Sequence, residues 1–296
     1  MKHKTILFLF VITLFTISSA FSQDDQDSTN TWGKDWKHHK FRFSFFHDEF
    51  KGQPTVSLNY GLSKINMQNL STALAKPNLL ELKLGYTTIT SDWKDEDIIR
   101  YKYKYAYLSN FSTDLSGNNS AGDYKSDMWR FGFGRASGYG YKLGSSAIIP
   151  YHAYSIDWTK AKFNNLPANP ADQALLEPFD NTFRFGTSME AGIRFKLVPH
   201  FIVEGGYERS IIFPKHLFWK WAGSVIIETA GQVALDKFID KIMDSSPYAA
   251  PIMSFLLKNA FSYGMYELRQ SKMNWPFNTA APLAYNQFKV GVTFVF

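Results

Sequence analysis

The chain has 296 residues, no cysteine, 12 prolines, 17% aromatic residues and a formal net charge of +6. Without cysteine there is no disulfide, no thiolate metal site and no lipid-modified cysteine to anchor an exported chain. The basic excess is small and scattered, which leaves no footprint for nucleic acid and suits contact with anionic lipid headgroups.

The N-terminus has the three parts of a signal peptide. Met1-Lys2-His3-Lys4 is basic, Thr5 to Thr16 is a dense apolar run, and Ala20-Phe21-Ser22 supplies small residues where a signal peptidase reads. Residues 1–22 are therefore expected to be removed, leaving Gln23 first. The apolar run is short for a span of about 20 residues. Residues 23–52 form a polar, charge-mixed periplasmic leader in which Phe41-Arg42-Phe43-Ser44-Phe45 alternates and predicts a short strand.

From Pro54 onward a period of two recurs, the signature of strands with one apolar and one polar face. Segments 54–62, 79–90, 99–111, 127–136, 147–159, 182–197, 200–212 and 286–296 carry it. Leu58, Tyr60 and Leu62 oppose Ser57, Asn59 and Gly61; Leu80, Leu82 and Leu84 oppose Glu81, Lys83 and Gly85. Tyr101, Tyr103, Tyr105 and Tyr107 are expected outward, against Arg100, Lys102 and Lys104 inward. Trp129, Phe131 and Phe133 oppose Arg130, Gly132 and Gly134. Eight segments of about ten residues fit tilted strands crossing a bilayer. The polar face is small or charged, as a crowded barrel interior requires, whereas a soluble sandwich would turn it to water.

The connections alternate long and short: 63–78, 112–126, 160–181 and 213–285 are long, and 91–98, 137–146 and 198–199 are short. Long outer loops and short inner turns are the pattern of a barrel with both chain ends in the periplasm. In 214–270 the period changes to three and four: Val225, Ile226, Thr229, Val233, Phe238 and Ile242, then Ile252, Phe255, Leu256, Ala260 and Phe261. Ser245-Ser246-Pro247 separates two helices. The expectation is an αα-hairpin on the outer, loop side of the barrel.

The ending Phe288-Lys289-Val290-Gly291-Val292-Thr293-Phe294-Val295-Phe296 resembles the C-terminal strand that barrel-assembly machinery reads, with Phe288, Val290, Val292, Phe294 and Phe296 as the signal. Gly192–Tyr207 resembles a hairpin common in small outer-membrane barrels. With the Gln23 start and aromatic strands, residues 53–212 and 286–296 resemble small Bacteroidota-type outer-membrane β-barrel proteins of the eight-stranded class. The resemblance implies an all-β antiparallel transmembrane barrel in the cell outer membrane over 53–296. The helical insert departs from the small-barrel pattern.

An interior charge network is expected from Glu81, Lys83, Arg100, Lys102, Lys104, Arg130, Arg184, Glu190, Arg194, Glu204, Glu208 and Lys289, with Lys196 on the same face. An eight-stranded barrel is narrow, so these charges should pair into a plug. Because bases outnumber acids, a narrow path for small anionic solutes is the alternative. His152 lies near Ser155 and Asp157, and some outer-membrane lipid A deacylases place a histidine and a serine on the outer wall. Here Tyr154, not serine, stands two residues after the histidine, so no catalytic residue is assigned. His38, His39 and His47 are read as part of the polar leader, not a metal site. Residues 116–123 lack the lysine-serine ending and the strand-to-helix setting of a phosphate loop. In 100–107 alternation separates charges from rings, which argues against nucleic acid. No cofactor is expected. Trp219, Lys220, Trp221, Phe238, Phe255 and Phe261 are candidate contacts for a partner protein or for outer-membrane lipid. The insert has three candidate uses: capping the barrel mouth, docking a surface partner, or lying in the outer leaflet. The function expected is a non-enzymatic structural or partner-docking barrel, with a pore or a lipid-modifying enzyme as alternatives.

Overall fold

The computed structural model describes residues 52–296 apart from 75, 93–94, 117–125 and 164–166. The signal peptide 1–22, the leader up to residue 51 with its short strand and histidines, and most of 116–123 lie outside the described residues. Eight strands follow: β1 (Gln53–Met67), β2 (Asn78–Ser91), β3 (Ile98–Ser112), β4 (Ser126–Leu143), β5 (Ser146–Phe163), β6 (Phe183–Val198), β7 (Phe201–Ile212) and β8 (Leu283–Val295). Each pairs antiparallel with the next, and β8 returns to β1 to close a barrel. The seam runs from Thr55↔Val295 to Met67↔Leu283. It finishes with the Phe296 N–H donating to the Pro54 carbonyl at 2.8 Å. Closure leaves no strand edge, the condition for crossing lipid with strands.

The short connections gather at one end, the turn end, with the start of β1 and the end of β8; the long ones gather at the loop end. β4 runs on to Leu143, so the 137–146 gap shrinks to Gly144-Ser145. Gly138 and Gly140, which fall in that expected gap, are positions within β4. A Cβ at Gly138 would lie 2.1 Å from the Pro150 carbonyl oxygen. Gly144 does turn the chain, at φ +64°.

On β3 the two faces are the reverse of the expectation. Tyr101, Tyr103, Tyr105 and Tyr107 are buried in the lumen, and Arg100, Lys102 and Lys104 face outward. A tyrosine can fill space, bond through its hydroxyl and present its ring to a cation, so it meets an ionic interior well. Neighbouring strands make room: a Cβ on Gly134 would lie 2.4 Å from the Tyr105 ring, and one on Gly192 2.6 Å from Tyr151. The outward bases lie in the turn-end half of β3, within reach of headgroups for long amphipathic side chains. Arg100 sits 3.6 Å from Asp92 and 5.2 Å from the Tyr139 ring centre.

The lumen is filled in layers. At the loop end Ile65, Leu79, Phe111, Met128, Phe163, Ile212 and Leu283 pack with Leu176 of the short helix α1 (Pro170–Leu176) and with Phe179. Charges follow at mid-height, and tyrosines with Ile99, Ala147 and Ile149 fill the turn end. Asp172 of α1 accepts from the backbone N–H groups of Ser71 and Thr72 at 3.0 and 2.9 Å, joining two long loops. The hydroxyls of Thr72 and Ser71, and then these backbone bonds, hold its carboxyl down at about 2.

Between β7 and β8 stand α2 (Phe218–Ser245) and α3 (Ala250–Ser271), parted by a turn at Pro247–Ala249. Ser245-Ser246-Pro247 breaks the pair as expected, and Pro251 falls in the first turn of α3. The hairpin does not stand on the loop side. It leaves the loop end and lies down along the outer wall.

Gly134→Leu drives a side chain into Tyr105, and overpacking of this kind costs about 1–3 kcal/mol. The expected result is a smaller folded fraction by gel mobility without boiling and a lower urea midpoint in detergent. Adding Tyr105→Ala should restore part of it. An unchanged midpoint in the single variant would show that Tyr105 does not fill that space.

Candidate functional site

Two assemblies carry the polar chemistry: the ionic layer within the lumen and the interface between hairpin and wall. The inward phase of β2, β4, β6, β7 and β8 brings Glu81, Lys83, Arg130, Glu190, Glu208 and Lys289 to one level. Lys289 Nζ lies 3.1 Å from Glu81, 2.6 Å from Glu190 and 2.5 Å from Glu208. Lys83 bridges Glu81 at 3.3 Å and Glu190 at 3.2 Å. Arg130 pairs with Glu81 at 2.8 Å and with Glu208, and donates to the Tyr285 hydroxyl at 2.6 Å. Towards the turn end Arg194 pairs with Glu204 at 2.5 Å, its guanidinium 4.5 and 4.7 Å from the ring centres of Tyr151 and Tyr101.

The twelve sequence candidates thus divide. Eight of them, four glutamates and four bases, form the buried pairs. Arg100, Lys102 and Lys104 lie outside the barrel because β3 has the opposite phase. Arg184 sits at the loop end, where its Nε donates to the Pro178 carbonyl at 2.5 Å and fixes a loop. Lys196 is half-buried near the turn end. The excess of bases that motivated an anion path is absent from the paired layer, and Asp157 adds an acid, accepting from Tyr107 at 3.1 Å. The interior tyrosines and Asp157 were missed. Their signal is tyrosine facing glycine across neighbouring strands, which needs the register.

The interface begins at the loop end, where the Trp221 ring of α2 packs edge-on to Phe185 of β6 at 5.5 Å. At mid-height His152, on the outer face of β5, has Nδ1 3.0 Å from Asn259 Oδ1 and Nε2 3.5 Å from Ser262 Oγ. The Arg209 guanidinium lies 4.6 Å from the Tyr263 ring centre, and Tyr266 donates to Asn286 at 2.9 Å. At the turn end the Tyr141 hydroxyl donates to the Tyr248 carbonyl at 2.6 Å, and Met243 and Ala250 bury Ile98. Asp95 and Asp97 lie close enough to push the Tyr248 phenol upward, Asp95 most. Between the helices Arg269 pairs with Glu228 at 2.8 Å, and Gly231 admits the Phe261 ring.

Ser155 and Asp157 point into the lumen while His152 points out, so these three cannot form a relay. Ser262, His152 and Asn259 do stand in the order of a nucleophile, base and orienting group. Ser262 is only 4% exposed, however, and its hydroxyl faces the wall. A scissile carbonyl has no approach to it, and the three side chains act as a polar latch. Among the described residues no cluster of metal-ligating side chains occurs.

Of the insert candidates, Trp219 and Phe238 are exposed, Phe255, Phe261 and Trp221 are half-buried, and Lys220 donates to the Asn278 carbonyl at 3.0 Å. Phe288, Val290, Val292, Phe294 and Phe296 share the outward face at the end of the chain.

Lys289 is the hub of the ionic layer, and its removal should be costly. Lys289→Met leaves three carboxylates facing one another, and breaking a buried ionic group costs about 3–5 kcal/mol. Urea unfolding in detergent should show that loss, and adding Glu190→Gln should recover part of it through coupling. Equal stability of Lys289→Met and wild type would mean that the layer does not hold the barrel.

The family described as "Outer membrane protein beta-barrel domain" matches residues 42–229, a span that ends within α2. Among solved structures the chain is similar to Neisserial surface protein A, at 11% identity and a TM-score of 0.40, over 82% of this chain and 97% of that one. It is also similar to Ail, the attachment invasion locus protein of Yersinia pestis, at 8% identity and a TM-score of 0.33, over 83% of this chain and 99% of that one. No curated protein matches the sequence. The closed eight-stranded ring and a family match over more than half of its length place the chain in the outer membrane protein beta-barrel domain family.

Proposed function

We propose that this protein works in the outer membrane as a closed, non-enzymatic scaffold, a structural barrel that serves as the docking subunit for another protein at its loop end. The supporting observation is the lumen. Arg130, Arg194, Lys83 and Lys289 are all at most 2% exposed and are paired with glutamates, between an apolar layer at the loop end and tyrosines at the turn end. Conduction would require that layer to open, leaving buried charges without partners. Docking is supported by the base of the hairpin, where Trp219 stands 83% exposed and Phe277 37% exposed beside Lys220. Tryptophan is among the residue types enriched at the energetic centres of protein interfaces. Export after cleavage before Gln23, a Bacteroidota-type origin and delivery by barrel-assembly machinery through Phe288 to Phe296 belong to the same reading.

Planar-bilayer recording of the full chain should give no conductance steps at any salt concentration. Steady steps that respond to Lys289→Met would overturn the closed scaffold. Co-purification from gently solubilised membranes should yield a stoichiometric partner that is lost with Trp219→Ala. The lone barrel in both preparations would remove docking and leave the structural role.

A further inference from the structure

We infer that the α2–α3 hairpin is itself a membrane-crossing element, lying in the hydrocarbon layer beside the barrel with its outward face against lipid acyl chains. This goes beyond the scaffold reading and does not depend on conduction or docking.

The route is the first observation. The hairpin touches Phe185 at the loop end, His152 at mid-height, and Tyr139, Tyr141 and Ile98 at the turn end, all on the outer face of the wall. A helix of 28 residues such as α2 is about 42 Å long, against a hydrocarbon core of about 30 Å. The helices therefore occupy the space that lipid would otherwise fill beside β4, β5 and β6.

The second observation is the division of side chains on the hairpin. Ile226, Ile227, Ala230, Ala234 and Phe238 of α2 are exposed, as are Ile252, Leu256, Ala260, Tyr263 and Leu268 of α3. This face continues the apolar belt of the bare wall, where Leu58, Leu62, Leu80, Leu84 and Phe288 are likewise exposed. Most of the exposed charges lie towards the two ends, Lys220, Glu267 and Lys272 at the loop end and Asp240, Lys241 and Asp244 at the tip, while Asp236 stands one turn past the middle of α2. Asp236 is neutralised across the hairpin by Lys258 at 2.6 Å. The pair Glu228–Arg269 is buried between the helices.

The third observation is the wall beneath. His152, Arg209 and Asn286 project from it, groups that a lipid-facing strand carries only at a cost. The hairpin supplies Asn259, Ser262, Tyr263 and Tyr266 to meet them. Neither helix is long and apolar enough to cross a membrane by itself. The crossing needs the pair and the wall together.

The absence of cysteine from the chain allows single labels. Ile227→Cys and Ala260→Cys sit on the outward face, Leu58→Cys on the bare wall belt, and Ser245→Cys at the hairpin tip. Each full-length variant is reconstituted in phosphatidylcholine vesicles, and only protein migrating as the folded barrel is scored. A membrane-impermeant maleimide should label Ile227→Cys and Ala260→Cys at least tenfold more slowly than Ser245→Cys. Bimane at the two positions should be quenched by lipids spin-labelled on their acyl chains as strongly as at Leu58→Cys. Labelling as fast as at Ser245→Cys overturns the inference. Slow labelling without acyl-chain quenching also overturns it, since the face would then be covered by a second copy of the chain.

Discussion

In lipid a backbone N–H or C=O without a partner costs several kcal/mol, so the hydrogen-bond ring from β1 round to β8 is the condition on which everything else in this molecule rests. The ring closes only if the last strand finds the first across the whole chain, and thirteen residue pairs from Thr55↔Val295 to Met67↔Leu283 do this. The long insert between β7 and β8 does not loosen that seam, because the chain leaves and re-enters the sheet at neighbouring loop-end positions, Ile212 and Leu283, which are themselves paired. Loop-closure cost rises slowly with length, so an insertion there is tolerated.

Eight strands give a small circumference, and a small circumference fixes what can be inside. Side chains must fill the lumen, and any charge among them must be matched. Glu81, Glu190, Glu204 and Glu208 against Lys83, Arg130, Arg194 and Lys289 achieve that match. The tyrosines supply bulk and ring faces to the same cations: Lys83 stands 4.8 Å from the Tyr105 ring centre and Arg130 4.9 Å from that of Tyr107. Two interior glycines follow from the same limit, since Gly134 leaves room for the Tyr105 ring and Gly192 for that of Tyr151.

Alternation and the parity of the gaps make the barrel and its eight strands legible in the chain itself, because both follow directly from the two-residue repeat and from long and short connections. Alternation defines two faces and leaves open which is inside. For β1, β2 and β8 the choice was easy, since leucine, valine and phenylalanine belong to lipid. For β3 the choice lay between tyrosine and the basic residues, both amphipathic, and charge proved the poorer guide. The Tyr105 ring meets Gly134 on β4, as the Tyr151 ring of β5 meets Gly192 on β6, and that match exists only once strands are in register. The place of the hairpin is not legible in the sequence for a related reason. Its spacing announced two helices and their break at Ser245-Ser246-Pro247, but a helical stripe does not name the surface that it covers. Phe238 belongs to the stripe and ends up exposed, whereas Phe261 is taken into the space over Gly231.

The wall and the hairpin also explain each other's irregularities. A lipid-facing wall should be apolar throughout, yet β5, β7 and β8 carry His152, Arg209 and Asn286 on that face. Helices beside lipid should be apolar throughout, yet α2 and α3 carry Glu228, Asn259, Ser262 and Arg269. Each set is unsuited to hydrocarbon alone and satisfied by the other or within the hairpin, so the polar residues fix where the helices lie as well as holding them there. Apolar contacts alone would let the hairpin slide over a smooth belt. The His152 contacts, with Nδ1 and Nε2 meeting different residues of α3, set its height and rotation at once. A buried hydrogen-bonded group of this kind contributes little net stability over a well-packed apolar one, and its physical effect is specificity of position.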